Sequence, residues 1–345
     1  MILKKIILHI GHNKTGSSYL QSFLAINRKK FLKLGINYPY TKSFKHAKQC
    51  GITSGNGLLF VENLNIESLN EKEIILFSSE LLYRKLLYKD WDFFQKFLKK
   101  NGPQLKIILY SRNLFAHALS RWGQRIKRHK EVKDIDSYLR NNALSDVHLC
   151  VLKWITLSKE FNFELIIRNY SKHKTNLLDT FLKDVIEKKN INMKFNLPKY
   201  KQINRSLTFS EYEIMRVCNK IKNLKGNLSD LLIYQLPLIE GTKVKCNQKT
   251  YDLLYEKNIE TINKINAQIN EDESIIIEPP EKVVYGMNDF AYRSLSEEQI
   301  SLISSYIKNH IKQENIKSKN LNLISKINKN LSNKFPINLF LNKKN

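Results

Sequence analysis

Nothing in the 345 residues approaches the run of roughly 18 apolar side chains that a membrane span requires, so no transmembrane segment is expected. The opening Met1-Ile-Leu-Lys-Lys-Ile-Ile-Leu-His-Ile has the apolar look of an export signal, but Lys4, Lys5 and His9 interrupt it and no small-residue cleavage site follows. It reads as a buried strand. Cysteine is scarce: Cys50, Cys150, Cys218 and Cys246 lie far apart, with no C-x-x-C pair and no histidine at ligand spacing. That argues against a metal site and fits buried thiols in a reducing, cytoplasmic setting. Acid is also in short supply, 32 Asp and Glu against 58 Lys and Arg, for a formal charge of +26. Such a field attracts polyanions, anionic lipid headgroups or anionic small substrates without choosing among them, and lysines scattered among Asn and Ile read mostly as solvated surface. Aromatic and basic residues are not interleaved and no nucleic-acid module is recognisable, so no nucleic-acid partner is expected.

What is present is enough apolar residue, 42% of the chain, for one large α/β domain. Residues 5–11, Glu73-Ile-Ile-Leu-Phe-Ser-Ser, Leu105-Lys-Ile-Ile-Leu-Tyr-Ser and Phe163-Glu-Leu-Ile-Ile-Arg are short runs apolar on both faces, each bordered by helical periodicity. Helices are predicted from Gly16 to Leu34, around Leu152 to Leu157, from Leu177 to Ile186, from Glu256 to Asn270 and from Leu295 to Gln313. Alternation of this kind predicts an α/β fold, a parallel sheet flanked by helices, with a largely helical C-terminal part. Residues 1–313 are taken as one domain, with 187–260 as a helical insertion or cap. Residues 314–345 are taken as a basic tail rich in Lys, Asn and Ile.

Two motifs carry chemistry. Gly11-His-Asn-Lys14-Thr15-Gly16-Ser17-Ser18 falls between a strand and a helix start, where free backbone N–H groups and the positive helix end meet an anion. Gly11 and Gly16 let the backbone come close, Lys14 adds a point charge, and Thr15, Ser17 and Ser18 complete the loop. It is not a Walker A loop, because Lys14 precedes the second glycine. The second motif is Arg112, leaving the third long strand at its carboxyl end, with Ser120 eight residues on. An arginine fork with a hydroxyl there suits a second phosphate, although an arginine ending a strand also serves as a structural ion pair.

Together these motifs resemble the PAPS-dependent sulfotransferase family, where PAPS is 3′-phosphoadenosine-5′-phosphosulfate. Lys14-Thr-Gly-Ser-Ser18 is similar to its 5′-phosphosulfate loop, and Arg112 with Ser120 to its 3′-phosphate site. Leu20-Gln21, Asn27-Arg28, Gly35-Ile-Asn-Tyr-Pro39, Trp154, Ile166-Ile-Arg-Asn-Tyr170 and Asn204-Arg-Ser-Leu-Thr208 resemble further blocks of the bacterial branch. The resemblance covers residues 5–275, and the R-K-G element by which many eukaryotic members close over the nucleotide has no equivalent. It implies a P-loop-like fold of sulfotransferase type, PAPS as donor, 3′-phosphoadenosine 5′-phosphate as product, no metal, and a carbohydrate or glycolipid acceptor. Lys14 would stabilise the leaving group. The base would be Glu80 in Ser78-Ser79-Glu80, with His46 in Phe44-Lys-His-Ala the competing candidate.

Alternatives stay open on the residues alone. Glu80 also suits a helix start, and His46 a solvated loop. Arg121, Arg125, Lys127, Arg128 and Lys130 read as a basic face that is either solvated or anion-binding. The whole chain also allows a P-loop-type small-molecule kinase or a non-catalytic polyanion-binding protein. In the tail, Leu321, Ile324, Ile327 and Leu331 fall near one helical face among lysines, the pattern of a weak peripheral membrane contact or of an ordinary terminal helix.

Overall fold

A computed structural model of the chain describes residues 5–62, 74–141, 145–186, 193–199, 205–220, 228–239, 244–285 and 294–313. The basic tail therefore lies outside the described residues. In chain order the elements are β1 (Lys5–Gly11), α1 (Ser17–Ile26), α2 (Arg28–Lys33), β2 (Ile36–Asn37), α3 (Phe44–Lys48), α4 (Leu58–Glu62), β3 (Ile74–Ser78), α5 (Leu82–Lys85), α6 (Trp91–Asn101), β4 (Leu105–Ser111), α7 (Leu114–His129), α8 (Ile135–Asn141) and α9 (Ser145–Glu160). There follow β5 (Glu164–Asn169), α10 (Tyr170–His173), α11 (Leu177–Val185), α12 (Phe209–Asn219), α13 (Leu228–Gln235), α14 (Gln248–Asn266), α15 (Pro280–Val283) and α16 (Glu297–Gln313). The chain is an α/β protein whose five strands, all parallel, run in the order β2-β3-β1-β4-β5.

The strands form where the sequence is apolar on both faces. All seven residues of β4 are buried, and in β1 only Lys5 is partly exposed. One face of the sheet, through Ile7, Leu76, Ile108 and Tyr110, packs on Leu20, Phe23 and Leu24 of α1 and on Leu177, Phe181 and Val185 of α11. Full burial of such side chains contributes about 1.5–3 kcal/mol each. From the other face Phe77 meets Phe60 of α4 at 5.5 Å between ring centroids, and Phe60 meets Phe97 of α6 at 5.0 Å.

Two local features depart from the periodicity. The helix expected over Gly16 to Leu34 breaks at Asn27, whose side chain donates to the Phe23 carbonyl at 2.9 Å and to the Asn196 carbonyl at 2.8 Å. An amide competing for helix carbonyls favours an end over continuation. The two-residue strand β2 escapes periodicity altogether and is defined by its pairing with Ile74 and Ile75.

The chain divides into two compact units. The first comprises Met1–Ala118, Ala143–Asn204 and Asp252–Glu278 and contains the whole sheet; the second comprises Leu119–Asn142, Arg205–Tyr251 and Pro279–Asn345. Inside the second, Arg205 pairs with both carboxylate oxygens of Glu211 at 2.8 Å and donates to the Leu232 and Leu236 carbonyls. Glu211 also completes a capping box with Thr208 at the start of α12. Trp122 packs against Tyr212 at 5.4 Å between centroids, and Arg128 makes a two-point ion pair with Asp230. Among the described residues, no helix is long and apolar enough to cross a membrane. The four cysteines are buried and unbridged.

Candidate functional site

Because every strand is parallel, all five carboxyl ends open on one edge of the first unit's sheet. After β1 the chain leaves for β2 and β3 on one side and crosses to β4 on the other, so the order reverses at β1. A crevice at such a reversal is where open α/β sheets take ligands. The loop 11–18 leaves β1 there, Ser79 and Glu80 leave β3, and Arg112 leaves β4.

The loop's shape follows from its residues. Gly11 has φ 156° and lies so close to β4 that an added Cβ would stand 2.5 Å from the Tyr110 carbonyl oxygen. Only glycine suits that backbone and that approach. The His12 N–H then donates to the same Tyr110 oxygen at 2.9 Å, and the Thr15 hydroxyl donates to the His12 carbonyl at 2.8 Å. Thr15 thus spends its single hydroxyl hydrogen inside the loop, as a staple. Lys14, at φ 65°, and Gly16, at φ 75°, both take left-handed conformations, a strained choice for lysine. Gly16 sits at the N-cap of α1, a residue with no side chain to cap the helix, and no acidic residue lies in the first turn. Ser17 is buried and Ser18 half-buried.

Arg112 joins this loop directly: its Nη1 donates to the Lys14 carbonyl at 3.1 Å, and its guanidinium lies 5.6 Å from the centre of the Tyr170 ring. The two phosphate motifs of the sequence, about a hundred residues apart, therefore meet at Lys14 and Arg112. Ser120 lies half-buried within α7, in the stretch belonging to the second unit. Glu80 is half-buried and accepts from Gln21 Nε2 at 3.4 Å, while Gln21 Oε1 accepts from the Thr53 hydroxyl at 2.9 Å. Gln21 is on α1, so the helix that starts at the loop also touches the candidate base. His46 is exposed on the short helix α3, its ring lying over Gly51. Of the basic cluster, Arg125 and Lys130 are exposed, Lys127 is buried and Arg128 is held by Asp230.

Sequence reasoning missed three groups here. Glu278 places its carboxylate on the N–H groups of Phe115 and Ala116 at 2.9 Å and so caps α7. Burial pushes its carboxyl above the usual range. Glu273 binds Arg168, His173 and the Asn169 N–H at 2.7–2.9 Å, and Asp184 grips Arg168 from the other side. That network ties the end of β5 to the segment bearing Glu278. Finally, the buried rings of His12, His117 and His148 stand 4.7, 5.2 and 6.1 Å apart by centroids. Burial, then the neighbouring His117, His148 and Arg112, holds His12 well below the ordinary histidine range, and burial brings His148 down to about 4. Both are neutral at pH 7.

Taken together, the mouth offers a helix start whose cap residue is glycine, an arginine side chain bonded to the backbone carbonyl of a lysine, and a carboxylate on the adjoining strand end. Such an array can bind an anion with charge at two points and accept a proton beside it. Neither a scan against protein-family models nor a search of curated proteins found a match to this chain.

Proposed function

We propose that this chain is a sulfotransferase that moves a sulfuryl group from PAPS onto a hydroxyl or amine of an acceptor, with a glycan or glycolipid as the acceptor class. The observation that carries the reading is the bond from the Arg112 side chain to the Lys14 carbonyl at a start of α1 whose cap residue, Gly16, has no side chain. A nucleotide carrying a phosphosulfate at one end and a 3′-phosphate at the other suits two cationic anchors, one per anion; Ser120 enters by its spacing from Arg112 in the sequence. The order of residues also favours sulfuryl over phosphoryl transfer: the loop lysine precedes its second glycine, and β3 ends in Ser78-Ser79 where an NTPase would place a magnesium-binding acid.

In the reaction the acceptor oxygen or nitrogen forms a bond to sulfur while the bond from sulfur to the bridging phosphate oxygen breaks. The electron pair goes to that phosphate oxygen and the acceptor's proton to Glu80. Lys14 and the first N–H groups of α1 meet the charge developing on the leaving oxygen, the positioning and electrostatic work on which such transfers depend. Gln21 steadies the Glu80 carboxylate, and Thr53 steadies Gln21.

Calorimetric titration with 3′-phosphoadenosine 5′-phosphate, AMP, ATP with magnesium and an oligonucleotide tests the reading, together with labelled PAPS and a panel of sugar acceptors. The bisphosphate should bind far more tightly than AMP, and Arg112→Ala with Ser120→Ala should erase the difference. Equal affinity for the two sinks the proposal. Preference for ATP or for the oligonucleotide would favour a kinase or a polyanion-binding protein instead.

A further inference from the structure

Arg112 is the first residue beyond β4, where ladder pairing ends and its peptide N–H and C=O need other partners. Two imidazoles supply them. His12 Nδ1 accepts from the Arg112 N–H at 3.2 Å, and His148 Nε2 donates to the Arg112 carbonyl at 3.3 Å. An amide N–H can only donate, so Nδ1 of His12 carries no proton and Nε2 carries it. That Nε2–H points at the Tyr83 hydroxyl at 3.2 Å, which in turn donates to the Val147 carbonyl at 2.6 Å. The relay leaves one assignment for every hydrogen from Arg112 through His12 and Tyr83 to α9, the helix that bears His148. The other nitrogen of His148, Nδ1, is buried with no hydrogen-bond partner among the described residues. Burying an unsatisfied acceptor is unfavourable, so what holds this ring in place is its contact with Arg112 rather than its own solvation.

We propose that His12 and His148 are positioning residues, a pair of neutral imidazoles that grip the Arg112 peptide from both sides and so aim its guanidinium at the loop carbonyl of Lys14. This rests on the reading of Arg112 as the anchor of the 3′-phosphate. His12 belongs to the phosphate loop, so the grip also fixes the distance between the two anion anchors. The guanidinium's direction is set by its backbone, and a peptide rotated by a small angle swings the end of so long a side chain by more than a hydrogen bond tolerates.

Amide side chains separate this role from mere filling of space. Asparagine places polar atoms where histidine has Nδ1, glutamine where it has Nε2. The clamp needs the first at position 12 and the second at position 148. The measurement is the ratio of AMP to 3′-phosphoadenosine 5′-phosphate dissociation constants, on the full chain, with thermal melting alongside. His12→Asn and His148→Gln should keep most of the parent ratio, whereas His12→Gln and His148→Asn should lower it about tenfold or more. The opposite ranking of the same two amides at the two sites is the signature. Identical ranking at both sites, or an unchanged ratio in all four variants, overturns the clamp. Should the disruptive variants fail to fold, Tyr83→Phe leaves both rings in place and removes the hydroxyl that meets His12 Nε2–H and holds the ring against Arg112; it should lower the ratio, and an unaltered ratio overturns the clamp. A parent protein that fails to discriminate overturns the proposed function and the clamp together, while a discriminating parent with the wrong variant pattern overturns the clamp alone.

Discussion

At the scale of single residues, the proposed sulfuryl transfer implies that Lys14 and Glu80 should separate binding from turnover. Lys14→Ala should cost on the order of 10²-fold or more in rate, as for loss of one preorganised oxyanion donor, read from initial velocities at saturating donor. Glu80→Gln should abolish turnover with nucleotide affinity little changed; full activity there, with loss in His46→Ala, would move the base to His46. The buried histidines set the acid limit of the fold. His9 is held down to about 3 and His148 to about 4, both by burial, against an ordinary value of 6.5. A ring that resists protonation when folded accepts it readily when unfolded. Stability is therefore full above pH 6.5 and falls as pH drops, towards 4 for His148 and towards 3 for His9, by at most about 1.4 kcal/mol per pH unit for each ring. Urea midpoints at pH 7.5, 5.5 and 4.5 check it, and His148→Gln should flatten the slope. Lys14 and Arg112 were legible in the sequence because each stands at a strand end in a recognisable spacing. His12, His117 and His148 were not, because residues gathered by topology from three parts of the chain share no period.

Among the elements, two helix starts at the same sheet edge have opposite treatments. α1 begins on a glycine that has no side chain to cap it, while α7 begins on the Glu278 carboxylate, which answers two of its free N–H groups. Glu278→Ala should lower stability by about 1–2 kcal/mol by denaturant unfolding, the ordinary worth of a cap. An equivalent acid brought to α1, as in Ser18→Asp, should instead compete with the nucleotide and weaken its binding. Gly11→Ala should cost more than about 2 kcal/mol, since both its φ and the 2.5 Å approach to Tyr110 oppose a methyl group. The long strands could be read directly, because burial on both faces leaves an uninterrupted apolar run. The end of α1 could not, because Asn27 acts through Asn196, far off in sequence. Nor could β2, whose two residues are too few to show a period.

For the whole molecule, the surplus of 58 basic over 32 acidic residues should make encounter with an anionic ligand, the proposed nucleotide included, depend on salt. Association rates should fall about tenfold or more between about 0.05 and 0.5 M salt, whereas dissociation from the half-buried Lys14 and Arg112 should change less. Stopped-flow titration reads both. The sheet order bears on how the chain comes together in time. β1 lies at the centre of the sheet, yet its partners are β3, from Ile74, and β4, from Leu105. A ribosome adding about 5–20 residues each second exposes the strand's apolar faces and unpaired edges for several seconds before either neighbour exists. The strand around which everything later assembles is thus the one left waiting longest, and nascent chains stalled short of β4 should be bound by chaperones in a way that chains stalled beyond it are not.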